Sequence, residues 1–162
     1  TFNILPTIKS RSTLVTFFPM NAEKMGISRE IFELLEGNAE EIRNLESGIE
    51  ESEIESKSFK DALADYFAER SGKNKIILAK SATEFINKIK FVSMADRLRR
   101  AEEVEKYLTK GRDFIAEIMH LLILKSIRAG RTDNLETLLE IKNSLGYNVN
   151  GSVALYLFFI EL

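Results

Sequence analysis

Asp113-Phe114-Ile115-Ala116-Glu117-Ile118-Met119-His120-Leu121-Leu122-Ile123-Leu124-Lys125-Ser126-Ile127-Arg128 is the most apolar helical stretch of the chain. Its large apolar side chains cover more of the helix circumference than the single band, roughly 100° wide, that a surface helix buries. The stretch therefore predicts a helix at the centre of a bundle, or one buried between subunits.

Helical spacing continues on both sides of it. Towards the C-terminus, Thr132 or Asp133 is expected to cap a helix with Leu135, Leu138, Leu139 and Ile141 facing inward and Gly146 ending it. Asn150-Gly151-Ser152 then opens a strongly apolar last helix, Val153 to Leu162. Towards the N-terminus, Ser93 with Asp96 three residues on forms a variant capping box, starting a helix through about Tyr107. Ile76, Ile77, Phe85, Ile86 and Ile89 mark the helix before it. Phe59, Leu63, Tyr66 and Phe67 mark another, stopped near Ser71-Gly72. A smaller helical unit spans 21–47. There Ser28 is an N-cap, Ile31, Leu34 and Leu35 have helical spacing, and Gly37-Asn38 is a stop before a short helix at about 39–47 carrying Ile42 and Leu45. Residues 47–57 mix Ser, Gly and like charges and read as a linker, although Ile49 and Ile54 fit a prolonged helix.

Two prolines and eight glycines in 162 residues leave long stretches free to be helical, and 44% hydrophobic with 30% charged residues is a globular composition. The absence of cysteine excludes a disulfide scaffold, a thiol nucleophile and a Cys-based zinc site, and fits a reducing interior. No apolar run reaches the roughly 18 residues of a membrane span, and no signal-peptide pattern opens the chain. A cytoplasmic protein without membrane contact is expected.

The net charge of −2 is unevenly spread. Residues 36–56 hold eight glutamates against Arg43, whereas residues 70–131 hold fifteen Lys/Arg against seven Asp/Glu. A basic half of this kind can mark nucleic-acid contact. Interspersed acids and the lack of clustered aromatics favour the solvated faces of helices instead.

Few residues suggest chemistry. His120 is the single histidine, and Arg112 lies eight residues before it on roughly the same side of the helix. An Arg/His pair suits ribonuclease chemistry with His as general base. A lone His among Leu and Met is more often a packed, hydrogen-bonded residue, and that is the expectation. The glutamates at 50–55 have no His nearby and read as a solvated acidic linker rather than a metal site. Neither a phosphate-binding Gly-x-x-x-x-Gly-Lys loop nor a Gly-x-Ser-x-Gly elbow occurs. No cofactor or metal site of its own is expected.

The first eighteen residues differ from the rest. Pro6 fixes its own φ and turns Leu5 away from helix. Leu14-Val15-Thr16-Phe17 is β-prone, and Pro19-Met20-Asn21 closes the segment. The chain thus reads as opening within a strand-containing domain, and as the C-terminal part of a larger protein. Arg11 sits in the Ser10-Arg11-Ser12 turn. Local chemistry makes it a surface residue, or one presented to a neighbour's phosphate, for which a permanently charged, forked guanidinium is suited.

Asn3-Ile4-Leu5-Pro6-Thr7-Ile8-Lys9-Ser10-Arg11-Ser12-Thr13-Leu14-Val15-Thr16-Phe17 resembles the Leu-Leu-Pro-Thr-Ile-x-Ser-Arg-Cys-x-x-x-x-Phe segment of clamp-loader ATPase-type subunits. The far end agrees. Asn134-Leu135-Glu136 through Leu138-Leu139-Glu140, then Asn148-Val149-Asn150 and Leu155 to Leu162, is similar to the last helices of the delta-prime family of bacterial clamp loaders.

The resemblance implies that 1–18 is the edge of an AAA+ domain, 19–50 a helical lid and 57–162 a helical collar through which subunits assemble. The overall fold would be mainly α, a lid plus a bundle collar with a short β remnant. It implies that Arg11, flanked by Ser10 and Ser12, acts in trans on the ATP of the adjacent subunit. The family's Cys is Ser12 here, which keeps a small residue in the turn. Its partners would be the other loader subunits of the DNA polymerase III holoenzyme and, through the whole assembly, the sliding clamp and primer-template DNA. In ATP-hydrolysing relatives a lid arginine senses nucleotide, and here Gly37-Asn38-Ala39-Glu40-Glu41 places glutamate about there, as suits a non-hydrolysing subunit. The chain alone would then not be an enzyme. The competing reading is a stand-alone helical protein-interaction module, in which Arg11 is dispensable.

Overall fold

A computed structural model describes residues 21–25, 27, 29–35, 54–147 and 149–162. The expected N-terminal strand with Ser10, Arg11 and Ser12, the helix at 39–47, the Gly37–Glu41 segment, most of the linker and Asn148 lie outside the described residues. The fold is mainly α, and every regular element among the described residues is helical. In chain order these are α1 (Ala22–Met25), α2 (Arg29–Leu34), α3 (Phe59–Ala68), α4 (Gly72–Lys88), α5 (Met94–Glu105), α6 (Arg112–Arg128), α7 (Leu135–Ser144) and α8 (Gly151–Glu161). Short 3₁₀ turns, Ile89–Phe91 and Leu108–Lys110, follow α4 and α5.

Local capping sets most of the boundaries. The orphan amides of a first turn need acceptors, and short polar side chains supply them. Ser93 Oγ accepts from the Asp96 amide at 3.2 Å and donates to the Asp96 carboxylate at 2.7 Å. Ser58 does the same with Asp61, at 3.2 and 2.6 Å. Asn150 Oδ1 accepts from the Ser152 and Val153 amides, so α8 starts where the sequence predicts. The helix expected to stop near Ser71-Gly72 does so, and the same pair also starts the next one, Ser71 Oγ capping α4 by accepting from the Asn74 amide at 3.3 Å. The α3 end lies just before it, where Glu69 turns extended and Asn74 Nδ2 donates to the Asp65 and Glu69 carbonyls. At α7 neither Thr132 nor Asp133 is the cap. Asn134 holds that position and turns its Nδ2 away to the Glu161 carbonyl and carboxylate, at 3.0 and 3.1 Å.

Of the two expectations for the apolar stretch, the central bundle helix is the one observed. Phe114, Ile115, Ile118, Met119, Leu122 and Ile123 of α6 are each at most 2% exposed within this one chain, packed against α4 and α7. The last helix, α8, packs against α5 and α7, and α3 lies on α4 and α5. Aromatic rings join the layers: Phe67, Tyr107 and Phe114 lie 4.6–5.7 Å apart, and Phe59 stacks on Phe85 at 5.3 Å. Leu139, expected inward, is exposed, because it lies about 100° around α7 from the buried Leu138.

Ile31 and Leu35, at the first helical unit, are buried in the same apolar cluster as the bundle, and α2 rests on α4. Ile54, read as linker, is buried there too. Residues 54–58, without regular structure, lie against α4, where Lys80 Nζ donates to the Ile54 carbonyl and Ser56 Oγ to Glu84.

Beyond α6 the chain reverses at Gly130, whose φ of 71° lies in the left-handed region. The Gly130 and Arg131 amides then reach the Ile127 and Ser126 carbonyls, closing the helix end. Gly130→Ala has room for its Cβ but not the conformation, and is expected to lower stability by about 1–2 kcal/mol, read as a lower urea midpoint with an unchanged slope.

Candidate functional site

His120 is exposed, which corrects the expectation of a packed histidine. Asp113, His120 and Ile127 recur every seven residues and form the outward stripe of an otherwise embedded helix. The polar side chains that α6 does bury are Lys125 and Ser126. Arg112 does not join His120. Its Nη1 donates to the Leu145 and Tyr147 carbonyls at 3.3 and 2.8 Å, and eight residues of helix separate the two by roughly 12 Å. The pairing required by the ribonuclease reading is therefore not formed.

Most of the basic excess of 70–131 is engaged within the fold. Three arginines hold carbonyls at or near helix ends, where the helix dipole favours a cation. Besides Arg112 at the end of α7, Arg97 donates through Nη1 to Ile160 and through Nη2 to Ile89, each at 3.2 Å. Arg131 donates to Ile86 at 3.3 Å. Arg70 and Lys75 approach Glu117, which also accepts from Tyr66 Oη at 2.6 Å. Arg99 pairs with Asp96, and Arg100 with Glu103. Sequence reasoning missed the arginine clamps, since their acceptors lie up to 63 residues away. Cations so engaged do not make the continuous unpaired track that a phosphate backbone needs.

Two polar contacts brace the outer helices and set a pH response. Tyr156 Oη donates to Glu105 at 2.9 Å, joining α8 to α5, and this bond holds its phenol above the ordinary value of 10.0. Lys57 Nζ lies 2.8 Å from Asp65, which raises its ammonium above 10.5. In both cases the protonated form makes the folded-state contact. The stabilisation is thus complete below the unfolded values and is lost as pH rises through the folded ones. Burial also raises the Tyr107 phenol, so alkaline titration of the folded protein, followed by phenolate absorbance, is expected to show late ionisation that loses one phenol's amplitude in Tyr156→Phe.

The surface best suited to engaging another molecule is the outer face of α8. This helix is apolar all round. Ala154, Leu155, Phe158 and Phe159 fill the core, while Val153 and Leu157 are left 52% and 46% exposed. These two lie four residues apart on one face, and exposed Val149 just precedes the helix. Among the described residues no group of His, Asp or Glu side chains is placed to hold a metal ion, and no helix is long and apolar enough to cross a membrane. No protein-family model matches the chain, and no curated protein or solved structure matches it significantly.

Proposed function

We propose that the chain is the lid and collar region of a delta-prime-like subunit of a bacterial DNA polymerase III clamp loader. The observation that carries this reading is the Leu5-Pro6-Thr7-Ile8-Lys9-Ser10-Arg11 motif ahead of a helical bundle that ends in an apolar helix. In this role the bundle is the collar, and Val153 and Leu157 face a neighbouring subunit. Arg11, carried in a turn between Ser10 and Ser12, reaches the ATP held by the adjacent subunit. The complete assembly acts on the sliding clamp and primer-template DNA in the cytoplasm, and this chain itself neither holds a cofactor nor hydrolyses ATP.

Burying two aliphatic side chains at the centre of an interface is worth far more than their area on a solvated surface. The combined variant Val153→Asp, Leu157→Asp is therefore expected to weaken assembly with the other loader subunits at least tenfold, or about 1.4 kcal/mol. Its own circular dichroism should be unchanged, since both positions are exposed and the Asp at 153 falls in the first turn of α8, where a negative charge is favoured. Size-exclusion chromatography of the reconstituted complex reads the result. Full assembly by the variant would remove α8 from the interface. The exposed strip alone equally fits a stand-alone helical interaction module, and the two readings separate at Arg11.

A further inference from the structure

A cleft of about 410 Å³ opens between the start of α3, the end of α4 and the start of α5. Its floor is aromatic: Phe59 and Phe85, stacked at 5.3 Å with their planes 17° apart. Four cations stand on its rim, Lys57, Lys88, Arg99 and Arg100; Lys57 is paired with Asp65 and Arg100 with Glu103, which leaves Lys88 and Arg99 to face a ligand. Phe91, on the 3₁₀ turn beside it, is 80% exposed, more than any other large apolar side chain among the described residues. Apolar area of this size held in water beside an apolar floor marks a contact surface.

The rim charges decide what fits. Lys88 has no ion-pair partner among the described residues, and Arg99 pairs with Asp96 only on the open surface, where such pairs are weak and exchange readily. Glu84 and Asp96 also line the cleft, held in place by the Ser56 and Ser93 hydroxyls. A nucleic-acid backbone carries a charge at every step and would cross these fixed carboxylates. A peptide can place its carboxylates at Lys88 and Arg99 alone and lower an apolar side chain between them.

We propose that this cleft docks a short acidic peptide segment of a partner protein, anchored by one aromatic or aliphatic side chain against Phe59, Phe85 and Phe91. The site is remote in sequence from Arg11 and stands independently of the clamp-loader reading.

The test is fluorescence anisotropy of the full 162-residue chain with a labelled Glu-Glu-Leu-Phe-Glu-Glu probe. Saturable binding is expected, weakening with added salt. Phe91→Ala is expected to weaken it about fivefold or more, and the pair Lys88→Gln with Arg99→Gln by a similar factor. All three side chains are exposed, so circular dichroism should be unchanged in both variants. Probes with Ala in place of Leu-Phe, or Lys in place of Glu, should bind at least fivefold more weakly, as loss of a buried anchor or of charge complementarity requires. The proposal is overturned by a probe that does not saturate, by binding that neither variant weakens, or by a labelled oligo-dT that binds more tightly and displaces the peptide.

Discussion

On the clamp-loader proposal, Arg11→Ala in the whole subunit, reconstituted with the other loader subunits, clamp and primer-template DNA, is expected to assemble normally and lose ATP turnover by roughly a thousandfold or more. The magnitude follows from what a trans guanidinium does. Charge grows on the phosphoryl oxygens in the transition state, and a forked, permanently charged donor stabilises it there more than in the ground state. Lysine at the same position keeps the charge but not the fork, so Arg11→Lys should recover only part of the loss. Steady-state ATPase assays beside size-exclusion profiles separate the outcomes. Unchanged turnover would return Arg11 to the status of a surface residue and leave the interaction-module reading standing.

Phe159→Ala is expected to lower the unfolding free energy by about 3–5 kcal/mol, the usual range for truncating a core phenylalanine. Phe159 is fully buried, and its ring lies 6.3 Å from Phe85 of α4 and 6.0 Å from Phe158. It therefore joins the last helix to the middle of the bundle, and the void left by alanine borders residues fixed on several helices. Against a total of about 5–15 kcal/mol for an ordinary domain, that loss is a large fraction of the stability. Urea unfolding followed by circular dichroism measures it. Phe91→Ala is the matched control, the same chemical change at an exposed ring, expected to stay within about 0.5 kcal/mol.

What could be read in advance was whatever depends on neighbours in sequence. The Ser93–Asp96 box, the Asn150 cap and the breadth of the apolar surface on 113–128 are local, and each predicted its element. Ser71-Gly72 was legible as a stop but not as a start, because Ser and Gly serve equally to close one helix and open the next. His120 misled because surrounding Leu and Met residues say that a helix is embedded, not which stripe stays outside. Asp113, seven residues earlier, points to the outward stripe, but the apolar Ile127, seven residues later, hides it. The arginine clamps and the basic cleft were invisible for a different reason: each joins residues from helices distant in the chain. Arg11 drew its meaning from a resemblance, and its segment lies outside the described residues, so its role stands on that likeness and on the assay above.

The position of α8 has a consequence for how the protein is made. Leu155, Phe158 and Phe159 fill the middle of the bundle and Ile160 supplies the carbonyl that Arg97 holds, yet these four residues of α8 are synthesised after every other described helix. A nascent chain that has emerged from the ribosome only through Asn150 therefore exposes the apolar faces of α5 and α7 with nothing to cover them. At about 5–20 residues per second that exposure lasts while the final helix is polymerised and clears the ribosome. Chains ending at Asn150 and carried clear of the ribosome by a linker should accordingly be bound by holding chaperones and cut by proteases, whereas chains that run on to Leu162 before the same linker should resist both.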